Sequence, residues 1–244
     1  MADAQKIVDK AIKFLKAEQE VYGNFSVHEM RQVNIQSKNK QAARVIATDT
    51  NQQLDNIKTL DELAEHCKSI DLLKTELKEA NLVMGSGNPN ADLIIIGEAP
   101  GKQEDLQGEP FVGRSGQLLT KILKAINFER EDIYIANILK YRPPENRDPR
   151  PEERLKSLPY LLKQIDIINP KLILCLGRIS AQTLLENNGP MKNMRGSFHP
   201  FMGKYELMVT YHPAALLRNP NFKKDTWEDV QELRKRYDEL GCKP

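Results

Sequence analysis

The run Leu93-Ile94-Ile95-Ile96-Gly97-Glu98-Ala99-Pro100-Gly101 carries the architecture of this chain. Four consecutive large apolar residues, three of them β-branched, describe a strand buried on both faces, and Gly-Glu-Ala-Pro-Gly breaks it. Comparable runs recur at 133–139, 172–176 and 207–211. Helical periods lie between them: Leu118, Leu119, Ile122, Leu123 and Ile126 make one apolar face, and Leu155, Leu158, Leu161, Leu162, Ile165 and Ile168 another. Continuously apolar strands alternating with helices predict an α/β fold, three layers α/β/α around a central four-stranded, mostly parallel sheet. Ligands of such sheets bind beyond the carboxyl ends of the strands. The loops that follow the strands are therefore where chemistry is expected.

Upstream, Thr59-Leu60-Asp61-Glu62 is a capping-box pattern, with the Thr59 hydroxyl and the Glu62 carboxylate serving free amides of a helix predicted to reach about residue 77. The compact domain is placed at 56–244. Before it, Ile7, Val8, Ala11, Ile12 and Leu15 have helical spacing, and 22–53 is polar, aperiodic and carries Lys38, Lys40 and Arg44. Residues 1–55 read as a helix followed by a polar linker or arm.

A chain of 244 residues has room for one medium α/β domain and an extension. Its formal net charge is only +2, so any nucleic-acid contact has to come from local patches. Cys67, Cys175 and Cys242 are odd in number and far apart, which fits buried or free thiols in a reducing compartment and neither a disulfide framework nor a zinc knuckle. Met1-Ala2-Asp3-Ala4, with Lys6 and an amphipathic run after it, does not resemble a signal peptide, and no apolar run is long enough for a bilayer. A soluble, cytoplasmic protein is expected, nucleoid-associated if the source is bacterial.

After the first strand, 97–105 and then Pro110-Phe111-Val112-Gly113-Arg114-Ser115-Gly116 lead into a helix. This is not a phosphate-cradling P-loop, because 97–102 is one residue short and Gln103 stands where a magnesium-binding hydroxyl belongs. Gly85 and Gly87 lack the third glycine of a dinucleotide fingerprint and precede a strand rather than a helix. Asn137 and 140–149 follow the second strand, and Tyr211-His212-Pro213-Ala214-Ala215-Leu216-Leu217-Arg218-Asn219-Pro220 the fourth.

Taken together, GEAPG at 97–101, PFVGRSG at 110–116, Asn137, RPPENRDP at 142–149, LGR at 176–178 and YHPAALLRNP at 211–220 resemble the family-four uracil-DNA glycosylases, the thermophile-type branch of that superfamily. The resemblance covers roughly residues 80 to 235. It implies an enzyme that flips uracil out of DNA, single- or double-stranded, and hydrolyses its N-glycosidic bond as a monomer. By this resemblance Phe111 stacks on the base, although a core aromatic is the other reading of such a residue. The Asn137 carboxamide meets uracil N3–H and O4, a pattern that cytosine reverses. Glu104 excludes the thymine methyl, or is a solvated loop charge. His212 donates to uracil O2 as negative charge develops there; His28, His66 and His199 are read as structural. Gly97 and Ala99 border the base. Glu98 either positions water or shapes the loop. Leu216 and Leu217 form a wedge beside Arg218, and Gly113, Ser115, Gly116 and Arg178 serve phosphates.

The chain also departs from its family. Family-four enzymes carry a four-iron, four-sulfur cluster on four cysteines, yet Tyr141 and Ser157 occupy two of those positions, and Ile70 and Leu73 fall near the others. A protein without metal or other cofactor is expected, with Ile70, Leu73 and Tyr141 forming an apolar minicore. Ala99 stands where another branch has aspartate, and the histidine-bearing insert of a covalent uracil-trapping branch is absent, so stable covalent capture is not expected. Two rivals stay open: a DNA-binding module of the same fold that lost activity, and a glycosylase for other deaminated bases.

Overall fold

A computed structural model describes residues 53–243. The predicted first helix, the polar arm and His28 lie outside the described residues. The second of two units into which the chain divides runs from Thr59 to Pro244. Its helices are α1 (Leu60–Ser69), α2 (Lys102–Gln107), α3 (Arg114–Ala125), α4 (Pro151–Ile168), α5 (Arg178–Leu185), α6 (Met191–Met194), α7 (Pro213–Arg218) and α8 (Phe222–Glu239). Its strands are β1 (Ser86–Gly87), β2 (Leu93–Gly97), β3 (Tyr134–Asn137), β4 (Leu172–Leu176), β5 (Phe198–Phe201) and β6 (Tyr205–Thr210).

The sheet has six strands in the order β1-β3-β2-β4-β6-β5. The four predicted strands form its parallel centre, and β1 and β5 add antiparallel edges. Neither edge has a strong strand signal: β1 is two residues with a glycine, and β5 contains Pro200, which an edge tolerates because it owes no ladder donor there. The Gly85-x-Gly87 pair is explained by β1. A Cβ on Gly87 would lie 2.0 Å from the Ile133 carbonyl, and one on Gly85 would lie 2.6 Å from the Tyr134 ring.

Every residue of β2 and β4 is buried, and alternate side chains feed two cores. Ile94, Ile96, Ile173 and Cys175 pack with Leu161, Ile165 and Leu184 on one face. Leu93, Ile95, Leu172 and Leu174 pack with Leu119, Leu123, Val230 and Leu233 on the other. This is the predicted three-layer arrangement, each fully buried aliphatic side chain contributing about 1.5–3 kcal/mol. Two local expectations need correction. The capping box forms as predicted, Thr59 Oγ1 accepting from the Glu62 amide at 3.2 Å, but α1 ends at Ser69 because Ile70 turns extended and a 3-10 turn at Asp71–Leu73 buries Leu73. In α4 the inward stripe is Arg154, Ser157, Leu161, Gln164 and Ile168, so three polar side chains face inward where an apolar face was anticipated, while Leu158 and Leu162 are only partly buried.

Cys67, Cys175 and Cys242 are all free and buried. Among the described residues no helix is long and apolar enough to cross a membrane.

Candidate active site

The register of the central strands levels their carboxyl ends. Gly97 pairs with Asn137 across β2 and β3, and Leu176 with Thr210 across β4 and β6. Asn137 is the last residue of β3, and His212 follows β6 by two positions as the N-cap of α7. The chain thus brings Gly97, Asn137, Phe111 and His212 to one rim.

Two glycines make this convergence possible. A Cβ on Gly97 would lie 2.4 Å from Asn137 Oδ1 and 2.6 Å from Phe111 Cζ. One on Gly177, at φ +92°, would lie 2.9 Å from His212 Cβ. Real Cβ atoms do not approach that closely, so each absent methyl leaves room for a neighbouring side chain of the candidate site. Gly177 lies in the LGR motif at 176–178, but its role beside His212 becomes visible only in the fold.

Phe111 is 5% exposed and holds a left-handed backbone at φ +56°. Such a conformation costs a non-glycine residue about 1–3 kcal/mol and persists only where its surroundings impose it. Arg130 supplies that constraint, donating through Nη1 to the Phe111 carbonyl at 3.2 Å and through Nη2 to the Pro110 carbonyl at 2.9 Å. The Phe111 ring faces that of His212, centroids 5.4 Å apart and planes inclined by 33°.

His212 Nδ1 accepts the Ala214 amide at 3.1 Å. A ring nitrogen that accepts carries no proton, so the neutral imidazole bears its hydrogen on Nε2. Burial first, and the Arg218 charge second, push the His212 pKa down to about 4. The ring is therefore a neutral Nε2–H donor at ordinary pH. Asn137 is 2% exposed, and its buried Oδ1 has no hydrogen-bond partner among the described residues. A buried acceptor left unpaired costs about 1–3 kcal/mol, which a ligand N–H would recover.

Glu98 lies partly buried beyond β2. Burial pushes its carboxyl up to about 7, Asp148 adds to the shift, and Arg178, Arg154 and Arg218 oppose it. Ala99 packs its methyl toward the core on the α4 face. Glu104 is not a solvated charge: at 8% exposure its Oε1 accepts the amides of Val112 at 3.0 Å and Gly113 at 2.9 Å, clamping the loop that carries Phe111.

The residues predicted to meet DNA separate. Leu217 is 44% exposed but Leu216 only 2%, so Leu216 packs in the interior and of the two only Leu217 faces outward. The Gly113 amide is engaged by Glu104, and Gly116 is buried where a Cβ would lie 1.8 Å from the Phe111 carbonyl oxygen. Gly113 and Gly116 thus shape the Phe111 loop, leaving Ser115 in the first turn of α3 and Arg178 at the start of α5 on the outside. Arg178 pairs with Asp148 at 3.3 Å, and Arg218 is exposed. Within RPPENRDP, Arg147 is scaffold, bridging Glu76 at 2.6 Å and Glu153 at 2.7 Å.

The residues at the family's cluster positions do not fit a cluster. Leu73 and Tyr141 are buried, and the buried Ser157 hydroxyl donates to the Ile138 carbonyl at 2.7 Å. Cys67 brings one sulfur, with burial pushing its thiol up to about 11, whereas the cluster takes four thiolates. His199 and His66 have structural surroundings, the Met194 carbonyl 2.8 Å from His199 Nε2 and the Tyr160 ring 6.0 Å from that of His66.

Residues 84–233 match the model of the uracil DNA glycosylase superfamily. The chain is 40% identical over 187 residues to the type-4 uracil-DNA glycosylase of Archaeoglobus fulgidus, covering 72% of this chain and 92% of that protein. It is 41% identical over 199 residues to the type-4 enzyme of Saccharolobus solfataricus, covering 78% and 89%, and 37% identical over 175 residues to that of Thermotoga maritima, covering 70% and 91%. The motifs that seat Asn137, Phe111 and His212 on one rim lie inside the matched region, and the chain belongs to the uracil-DNA glycosylase superfamily, in its type-4 family.

Proposed function

We propose that this protein excises uracil from DNA, acting as a monomer on a nucleotide flipped out of the stack. The observation that carries the reading is the buried, unpartnered Oδ1 of Asn137, which meets the Phe111 ring over Gly97, while that ring in turn contacts His212. An acceptor, an aromatic face and a neutral donor are the three partners that a uracil ring asks for: N3–H to Asn137 Oδ1, stacking on Phe111 and O2 at His212. Glu104 acts on the base through the loop it clamps, holding Phe111 and narrowing the space beside C5.

In the reaction the bond between uracil N1 and the sugar C1′ breaks, and its electron pair stays with uracil. The charge gathers on O2, where the fixed Nε2–H of His212 stabilises it. Ionised Glu98 orients a water toward C1′ and takes its proton as the new C–O bond forms, giving the abasic site; the uracil anion takes up a proton from solvent and Glu98 returns its own to solvent, restoring the carboxylate. A carboxyl with a pKa near 7 is matched to that duty. Leu217 fills the gap left by the flipped nucleotide, and Ser115, Arg178 and Arg218 meet phosphates. The chain does this without a cluster, because Tyr141, Leu73 and the hydrogen-bonded Ser157 supply packing where relatives have thiolates.

The test is incubation with oligonucleotides carrying uracil, hypoxanthine, xanthine or a thymine mismatch, followed by alkaline cleavage at abasic sites. Uracil release by the unaltered protein, lost in His212→Ala, is the expected result, and Asn137→Asp should begin to release cytosine. Silence on every substrate would return the chain to the binding-module reading, and preference for hypoxanthine or xanthine to the other rival.

A further inference from the structure

Lys140 is fully buried, three residues beyond Asn137. Its Nζ donates to the Asn137 backbone carbonyl at 2.9 Å and to Gln164 Oε1. Gln164 is anchored in turn, its Nε2 donating to the Met84 carbonyl at 2.9 Å and to the Tyr134 hydroxyl at 3.3 Å. Both acceptors of the amine are neutral oxygens. A buried amine with such partners is a poor stability device, since an apolar side chain of similar length would fill the space without its desolvation.

The sheet topology gives the amine a purpose. On the outer side of β3, β1 pairs only with Tyr134 and Ile135, two residues short of the strand's end. The Asn137 carbonyl therefore meets no edge strand, and Lys140 supplies the donor that a longer β1 would have provided. On the inner side the Ile138 amide donates to the Gly97 carbonyl at 3.1 Å, so the peptide after Asn137 is held from both directions. We propose that Lys140, braced by Gln164, is a positioning residue for base recognition, fixing the backbone from which the Asn137 carboxamide reaches the base. The inference rests on the uracil-recognition reading of Asn137.

A double-mutant cycle tests it. Single-turnover uracil release and inhibition by free uracil are measured for the unaltered protein, Lys140→Met, Asn137→Ala and the double variant, with thermal melting of each. Lys140→Met should slow release and weaken uracil inhibition by about tenfold, the scale of one misplaced hydrogen bond, and change neither further once Asn137 is alanine. A merely structural lysine would give the same loss in both backgrounds. That result, or no loss at all, overturns the role of Lys140. Gln164→Met, which keeps the amine and removes its brace, should show a smaller loss with the same non-additivity; it carries the test if Lys140→Met does not fold, and additive losses there are equally fatal. Absence of uracil release by the unaltered protein would sink the functional reading itself, an outcome distinct from additivity.

Discussion

Phe111 and His212 face each other at a centroid distance of 5.4 Å, and opposite devices hold them. His212 sits in a relaxed N-cap geometry, with Nδ1 accepting the Ala214 amide. Phe111 is in a strained left-handed conformation that Arg130 enforces through two carbonyls. The two rings are in contact but independently held, one by a helix cap and one by a constrained loop, so each can be perturbed separately.

Replacing His212 should separate capping from chemistry. His212→Ala loses both, with single-turnover release falling by about 10²–10³-fold and helix capping weakened by about 1 kcal/mol. His212→Asn restores a side-chain acceptor at the cap but removes the Nε2–H. Its melting temperature should stay near that of the unaltered protein while its rate falls as far as alanine's.

Glu98 sets a pH dependence with a definite sign. Its carboxyl is raised to about 7 in the folded chain, so kcat/KM should climb as pH rises through 7 and the carboxylate appears, and Glu98→Gln should flatten the profile. Stability runs the other way. The folded state holds its proton where the unfolded chain has already lost it, so this group's contribution is full below the ordinary carboxylate range and is lost as pH rises through about 7. Glu98→Gln should accordingly raise the melting temperature at pH 8 and leave it unchanged at pH 4.

Neighbouring leucines should behave oppositely. Leu216, at 2% exposure, should cost about 2–5 kcal/mol of stability as alanine in chemical denaturation. Leu217→Ala should melt normally and lose activity on duplex more than on single-stranded substrate, because only a duplex has a stack to keep open.

Gly97→Ala should disable the pocket without unfolding the chain. The added methyl competes with Asn137 Oδ1 and Phe111 Cζ for the same space, at 2.4 and 2.6 Å, so uracil inhibition should weaken by about 100-fold or more, on the scale of a misplaced reacting geometry, while circular dichroism is unchanged.

Protein purified without oxygen should be colourless and free of stoichiometric iron and sulfide. A brown preparation with four irons per chain would overturn the cluster-free reading. Tyr141→Ala should destabilise the chain by about 3–5 kcal/mol, as removal of a buried aromatic does.

The four central strands, the capping box and the placement of chemistry after the strands were legible because burial on two faces leaves continuous apolar runs, and strand-end loops leave glycine and proline. The edges were not. β1 and β5 exist because neighbouring backbones offer ladder partners, and nothing within Ser86–Gly87 or Phe198–Phe201 demands a strand. The inward polar side chains of α4 were equally hidden, since nothing in the sequence shows that Ser157 will meet the Ile138 carbonyl or that Gln164 will meet the Lys140 amine until helix and strand are packed together.

Sequence by itself determined the family and the candidate residues: Asn137, Phe111, Glu98 and His212 stand in motifs that resemble those of the family-four enzymes, with a structural reading left open for Phe111 and Glu98. Only the tertiary structure decided their working states. Glu104 became a loop clamp because Val112 and Gly113 present two amides to it. Leu216 and Leu217 parted because one helix turn separates interior from surface. The His212 proton was assigned to Nε2 by an amide two residues along the chain and kept neutral by burial, and both effects depend on distance and solvent exclusion, which a linear pattern does not encode.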